Sequence, residues 1–379
     1  MDLIEAAFVI LALYICSIVL FYIGHKRVSY FLVANHATTI KFSIIVPFRN
    51  EIENLPRLLE SLQLLKYPPS HFEVIFVNDA STDVSEEHIL EVLKHTTINF
   101  QILQNTPNQT SPKKAAIALA IATAKHPWII TTDADCSVHH NWLQILNDFI
   151  LKNNPICVAM PVDYSVTNSF LQRYQQLDNW SLQAVTAGSF GLGNMLLSNG
   201  ANFAYAKEAF KRVNGFEDNL HIASGDDIFL LEKFKELFPK KIGYLKSRNA
   251  VVTTKPVDSW KQVISQRVRW ASKTTKQKNV LSKLVGILVF AINIVVISTP
   301  VLAFWHPDKV IIVSAIVVFK IFTDLLLLRK SLQFFKKPFP LFSFLISVYV
   351  YPVITVWVVV SSFSGNYVWK GRSFKKQQK

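Results

Sequence analysis

Three cysteines in 379 residues are too few and too scattered for a disulfide framework or a zinc site. Cys16 lies in an apolar run, and Cys136 and Cys157 lie beside expected strands, where a reduced thiol packs as a small hydrophobe. That usage fits a cytosolic catalytic domain. The chain also lacks any helix-turn-helix, zinc-finger or aromatic RNA-binding signature. Its formal charge of +14 therefore does not argue for a nucleic-acid partner. Internal repeats and low-complexity stretches are missing as well, which excludes solenoids and arrays.

Apolar residues are plentiful. Half of the chain is hydrophobic, Phe alone occurs 28 times, and only 17% of residues are charged. Apolar residues gathered into segments indicate a soluble domain joined to membrane spans. The cations sit beside those segments: His25-Lys26-Arg27, Arg329-Lys330, Lys336-Lys337 and the tail from Lys370 onward. This is the pattern of positive-inside anchors near anionic headgroups. Residues 6–23 are long enough to cross a hydrocarbon core of ~30 Å at ~1.5 Å per residue. The chain opens Met1-Asp2-Leu3-Ile4-Glu5 and this run ends in His25-Lys26-Arg27. A cleaved signal peptide needs a basic start and a small-residue cleavage site, so the reading is an uncleaved anchor over 1–27. Its N-terminus is expected outside, with Lys26 and Arg27 on the cytosolic side.

From about residue 41 to 257 the pattern changes. Residues 43–47, 73–78, 100–103, 128–132 and 156–160 read as buried strands. Helical stretches near 52–65, 85–95, 113–124 and 139–151 alternate with them. Such alternation predicts an α/β fold with a mostly parallel, doubly wound sheet, whose ligand sits at the carboxyl ends of the strands. Residues 258–283 read as a basic amphipathic helix on the membrane surface. Apolar runs follow at 284–305, 310–328 and 341–363, then a basic tail over 364–379. Three simple spans after a cytosolic domain would leave that tail outside. One run is therefore expected to be interfacial or re-entrant, around Pro352.

Asp79 stands at the end of the second expected strand, in Asn78-Asp79-Ala80-Ser81-Thr82-Asp83. Part of this segment caps the next helix. An ionised carboxylate is acceptor-only, so Asp79 suits a pyrimidine ring N–H. Asp133 and Asp135, one residue apart after Trp128-Ile129-Ile130, suit Mg2+ or Mn2+ shared with substrate phosphates. Gly200-Ala201-Asn202 and Ser224-Gly225-Asp226-Asp227 follow, the latter opening a helix. One of its acids is a candidate general base, and the competing reading is helix capping. In Gln266-Arg267-Val268-Arg269-Trp270, Arg269 suits a diphosphate leaving group and Trp270 a sugar ring, against ordinary interfacial anchoring.

Taken in order, these motifs resemble glycosyltransferase family 2 with the GT-A fold, from Ile44-Ile45-Val46-Pro47-Phe48-Arg49-Asn50-Glu51 to Gln266-x-x-Arg269-Trp270. The flanking spans resemble the membrane-integrated branch that includes cellulose, chitin, hyaluronan and ceramide glucosyl synthases. The resemblance implies inverting transfer from a nucleotide diphosphate sugar, UDP-linked by expectation, to a lipid or glycan acceptor. It places Pro47 and Glu51 at the nucleotide pocket, Asp79 on the base, and Lys113 or Lys114 with the donor. Asp133 and Asp135 border the diphosphate and metal, with Asn202, Gln266 and Trp270 on the acceptor side and Arg269 on the diphosphate. Asp227 matches the base, but Gly225-Asp226-Asp227 departs from the commoner Glu-Asp pair and leaves Asp226 open. The alternatives are a processive polysaccharide synthase, disfavoured by the short chain, and an inactive glycosyltransferase-like membrane subunit. The expected location is a cell inner membrane, as an integral protein with its catalytic domain in the cytosol.

Overall fold

The computed structural model describes residues 3–34, 36–106, 111–167, 169–220, 222, 224–274, 276–364, 367–369 and 372–374. The expected basic tail lies outside them, apart from two paired strands, Tyr367–Trp369 and Arg372–Phe374. The chain forms two units. One contains Ser29–Ser165 and Leu197–Lys255; the other contains Met1–Val28, Val166–Leu196 and Pro256–Lys379.

The first unit carries strands β1 (Phe42–Phe48), β2 (Phe72–Asn78), β3 (Asn99–Gln104), β4 (Trp128–Thr131), β5 (Cys136–Ser137), β6 (Cys157–Ala159), β7 (Val162–Tyr164), β8 (Phe203–Ala206), β9 (Ile242–Tyr244) and β10 (Val252–Thr254). Seven of them form one sheet in the order β3-β2-β1-β4-β8-β6-β9, and β5-β10-β7 form a small second sheet. In the large sheet β8 runs antiparallel to both β4 and β6, while the other pairings are parallel. The mostly parallel sheet expected from the sequence is present, and the strands predicted at 43–47, 73–78, 100–103, 128–132 and 156–160 are all found within two residues of their ends. The antiparallel β8 escaped notice because Phe203-Ala204-Tyr205-Ala206 is short and follows a motif rather than an apolar run.

β1 and β2 are nearly continuous apolar runs because parallel strands are covered on both faces. Their polar exceptions satisfy one another. Ser43 and Glu73 face each other in register, and Ser43 Oγ donates to Glu73 Oε1 at 2.7 Å. Glu73 Oε1 also accepts the Lys125 N–H at 2.6 Å, so this buried carboxylate anchors the entry to β4. Helices Leu55–Gln63, Ser85–Leu93 and Pro112–Thr123 return the chain between parallel strands. Pro112 starts its helix at a position where a missing N–H costs nothing. Parallel β1, β2 and β4 end on one edge, and that edge receives Asp79 and Asp133.

Among the described residues of the second unit, four helices are long and apolar enough to cross a membrane: Leu3–Arg27, Val280–Trp305, Pro307–Phe335 and Leu341–Phe363. The helix over Pro352 is continuous from Leu341 to Ser364, so the re-entrant break expected there is not found. Neighbouring groups re-satisfy the backbone freed by a proline in such helices. Helix Phe170–Gly191 packs against the first span through glycines. A Cβ on Gly24 would run into the Gly188 carbonyl, and one on Gly191 into the Gly24 carbonyl. Helix Trp260–Thr274 carries the Gln266–Trp270 motif within the expected amphipathic stretch.

Candidate active site

Two of the acids named from sequence, Asp133 and Asp226, meet on one cation. Lys113, in the first turn of helix Pro112–Thr123, places Nζ 2.7 Å from Asp133 Oδ1 and 3.3 Å from Asp226 Oδ2. Burial works to lower the Lys113 pKa, but Asp133 and Asp226 outweigh it and hold the ammonium above its ordinary value. Gly200 supplies the floor of the cluster. A Cβ there would stand 2.6 Å from Asp226 Oδ2 and 3.3 Å from Lys113 Nζ, so a larger residue would displace the Asp226 carboxylate from its present place.

Asp227 faces elsewhere. Its Oδ2 accepts the Gly200 N–H at 2.9 Å and its Oδ1 accepts the Ile228 N–H at 2.8 Å, which caps helix Ile228–Leu237. The Ser198–Asn202 loop and the Asp226-Asp227 turn are thereby held together. Gly225, at φ 86°, makes the turn that presents the two acids.

Asp79 directly follows β2, and its N–H donates to Phe48 O at 2.9 Å, locking it to the end of β1. Asn105 Nδ2 donates to Asp79 Oδ1 at 2.8 Å. Arg49 Nη1 donates to the carbonyls of Asp79 and Ala80 at 2.6 and 2.8 Å, and Ala80 adopts a left-handed φ of 56°. Glu51 is nearly buried: its N–H donates to Ser85 Oγ, and its Oε2 accepts Asn54 Nδ2. Pro47 stands in β1 opposite Val77.

Two residues named from sequence serve the framework instead. Lys114 is fully buried and donates to Asn219 O and Ile222 O at 2.8 and 2.9 Å. Asn202 is also fully buried. Its Oδ1 accepts the Trp142 indole N–H at 3.1 Å, and its Nδ2 donates to Pro161 O and Ala250 O. The acceptor-side placement of Asn202 is therefore replaced by a core role. Gln266, Arg269 and Trp270 belong to the other unit. There the centre of the motif is Arg267, which the sequence reading passed over. Its Nε pairs with Asp178 Oδ2 at 2.6 Å, its Nη1 donates to Gln266 Oε1 at 2.6 Å, and its guanidinium lies 4.2 Å from the Trp270 ring centroid. Asn105 was also missed, since a lone Asn after a strand carries no sequence signal beyond a turn.

The donor chemistry suits a divalent cation. Asp133 and Asp135 follow β4 with one residue between them, and Asp135 Oδ1 is 3.5 Å from Cys136 Sγ. Among the described residues no group of three or more His, Cys, Asp or Glu could hold a metal. Two hard carboxylates fit an ion that takes its remaining oxygens from substrate phosphates, rather than one caged by protein alone.

Residues 43–213 match the family described as Glycosyl transferase family 2. Glycosyltransferase AglE of Haloferax volcanii is 25% identical over 194 residues, covering 50% of this chain and 60% of that protein. The probable glycosyltransferase YdaM of Bacillus subtilis is 24% identical over 239 residues, covering 61% of this chain and 54% of YdaM. The matches thus span little more than half the length of these relatives. Among solved structures, the mannosyltransferase PcManGT from Pyrobaculum calidifontis, in complex with GDP-Man and Mn2+, superposes with a TM-score of 0.59 at 17% identity. It covers 94% of this chain and 99% of that one. That likeness concerns the fold, and the fold is the GT-A type expected from the motifs.

Proposed function

We propose, from a chain whose residues 43–213 form a family 2 glycosyltransferase domain, a membrane-bound inverting transferase. It moves a sugar from a nucleotide diphosphate donor, UDP-linked by expectation, to a hydroxyl of a lipid or glycan acceptor. The observation that carries this reading is the Lys113–Asp133–Asp226 cluster on the sheet edge that also receives Asp79. A cation on the same sheet edge as an acceptor-only acid suits a nucleoside diphosphate: one acceptor for the ring N–H, and positive charge for the phosphates.

In the proposed reaction Asp79 accepts the ring N–H of the base, and Lys113 turns its ammonium toward the diphosphate. Asp133 and Asp135 would hold Mg2+ or Mn2+, which when bound supplies charge neutralisation at the leaving group. PcManGT, solved with GDP-Man and Mn2+, pairs a donor and a cation of this kind. Asp227 takes the proton of the acceptor hydroxyl. The oxygen then attacks the anomeric carbon from the face opposite the diphosphate, the bond to the diphosphate oxygen breaks, and the configuration inverts. Arg269 is assigned to the departing diphosphate on its motif alone. Orientation is assigned on the positive-inside pattern, with the catalytic unit in the cytosol.

The test is nucleotide diphosphate release by the detergent-purified protein. The panel covers UDP- and GDP-sugars with Mg2+ or Mn2+ and membrane lipid extract, with Asp135→Asn as control. Release from one donor, lost in the control, is the expected result. One added sugar on the product supports single transfer, and a ladder makes the enzyme processive. Neither release nor donor binding across the panel overturns the reading.

A further inference from the structure

Polar side chains from different spans meet midway along the helices of the second unit. Lys320 Nζ lies 2.7 Å from Asp324 Oδ2, one turn on in the span Pro307–Phe335. Tyr14 Oη, in the span Leu3–Arg27, donates to Asp324 Oδ1 at 2.6 Å. Lys320 is 4% exposed, and its ammonium lies 5.6 Å from the ring centroid of Tyr351 in the span Leu341–Phe363. All of them stand near the middle of their helices, where a charge is costly and faces protein rather than lipid. From Tyr351 the contacts lead to the Gln266–Trp270 motif. The Tyr351 ring lies 6.5 Å from that of Tyr174, which lies 5.1 Å from that of Trp260, the first residue of helix Trp260–Thr274. Asp178, one turn on from Tyr174 along one face of helix Phe170–Gly191, holds Arg267 at 2.6 Å. That face meets the motif helix at its start and again at its middle, and Tyr351 packs against Tyr174 there.

We propose that Lys320 and Asp324 are positioning residues: they fix the Tyr351 ring, and through Tyr174 they set the placement of the Gln266–Trp270 helix. The kinetic consequence rests on the reading of that motif as acceptor-side. An ammonium is attracted to the face of a ring within ~6 Å, the more so where water is excluded. The carboxylate fixes where Lys320 points, and Lys320 in turn fixes the ring. Stability alone does not account for such a pair. Apolar residues of similar volume often serve a buried position as well or better, and hydrogen bonds between spans contribute little on average. What apolar residues do not supply is direction, since a flexible side chain such as Met fills a gap in many ways. A pair that only staples helices would loosen all the spans when removed. A positioning pair would loosen the motif helix.

The experiment is hydrogen–deuterium exchange of the full-length protein in detergent, read over residues 260–274 and over the spans, with thermal unfolding in parallel. It compares wild type, Lys320→Met/Asp324→Leu, Tyr351→Leu and Tyr351→Phe. The double variant removes both charges together, so it strands neither. Exchange over 260–274 should quicken by about 2- to 30-fold in the double variant and in Tyr351→Leu, the range of coupling carried through packed side chains. Span exchange and unfolding temperature should stay near wild type, and Tyr351→Phe, which keeps the ring, should match wild type throughout. Wild-type exchange over 260–274 in the double variant, or a rise spread equally over every span, overturns the proposal. Should that variant not fold, Lys320→Gln/Asp324→Asn, neutral and close in shape, decides in the same way. Nucleotide diphosphate release at increasing membrane lipid extract is then measured on the same proteins and on Trp270→Ala. The extract needed for half-maximal release should rise in both the double variant and Trp270→Ala. A rise in Trp270→Ala with none in the double variant overturns the proposal and leaves the motif reading standing. No change in Trp270→Ala removes the motif reading, and the exchange result alone then judges the positioning.

Discussion

Lys113 and Asp133 form an ion pair at 2.7 Å, whereas the adjacent Lys114 bonds two backbone carbonyls, those of Asn219 and Ile222. One turn of helix thus sends two identical side chains to different tasks. Lys113→Met should cut turnover by about 10²-fold, the scale of removing one electrostatic contact to developing charge, and lower the unfolding temperature as well, since the raised ammonium pKa marks a stabilising pair. Lys114→Met should lower stability with little direct effect on the chemistry, because it strips the Asn219 and Ile222 carbonyls of their donor at a cost of about 1–3 kcal/mol. Steady-state kinetics and thermal unfolding on both variants separate the roles; the same pattern in both would sink the assignment.

The same pair fixes a pH expectation. The Lys113 pKa is raised in the fold above its ordinary 10.5, because the neighbouring carboxylates outweigh burial. Its contribution to stability is therefore complete below about pH 10 and is lost only as pH climbs through the raised value. Between about pH 7 and 10 the pair stays intact, so Lys113→Met should shift the unfolding temperature by a constant amount across that window. A difference that shrinks within it would contradict the raised value.

Asp226 and Asp227 are separable by isosteric change. Asp227→Asn can keep the bond to the Ile228 N–H while removing the carboxylate, but its NH2 then faces the Gly200 N–H that Oδ2 accepted, so thermal unfolding is measured beside the kinetics. Turnover should fall by about 10³-fold or more with donor binding near wild type, as expected for a group that acts only in the transition state. Asp226→Asn removes one of the two carboxylates beside Lys113 and should instead weaken donor binding. Near-normal turnover in Asp227→Asn, with the loss found in Asp226→Asn, would move the base to Asp226.

Much of this was legible before the structure. Short apolar runs rich in β-branched residues, such as Ile44-Ile45-Val46 and Val74-Ile75-Phe76-Val77, read as strands buried on both faces, and acids at their carboxyl ends then share an edge. What sequence could not resolve was direction. Lys113 and Lys114 are chemically alike and differ only in which side of the helix they leave. Asn202 sits in a motif and yet turns inward to the Trp142 indole, since a buried indole N–H must find an acceptor. Arg267 lay unnoticed between Gln266 and Arg269 because its partner, Asp178, is 89 residues away in sequence.

Gly200 tests the tightness of the cluster. Alanine there would put a methyl 2.6 Å from Asp226 Oδ2, forcing the carboxylate away from Lys113. Gly200→Ala should reduce donor affinity and turnover together by about tenfold or more, in keeping with the sensitivity of reacting geometry to small displacements. Wild-type kinetics in a folded Gly200→Ala protein would show that Asp226 has more freedom than its contacts indicate.

The Arg267–Asp178 pair decides whether the Gln266–Trp270 motif has a structural core. Both residues are nearly buried, Nε lies 2.6 Å from Oδ2, and the guanidinium rests over Trp270. Taking a charge out of water is costly, so the pair contributes less as an attraction than as a constraint: either partner alone is penalised. Arg267→Met should therefore lower stability by about 3–5 kcal/mol by leaving Asp178 buried and charged. Adding Asp178→Leu should recover a large part of that loss, since the stranded charge is gone. Lysine at position 267 should not substitute, because its single ammonium cannot bond Asp178 and Gln266 in a fixed fork while lying flat on an indole. Thermal unfolding of the two single variants and the double variant gives the coupling directly. A double variant no more stable than Arg267→Met would mean that the arginine acts through its stacking on Trp270 and its bond to Gln266, not through the ion pair.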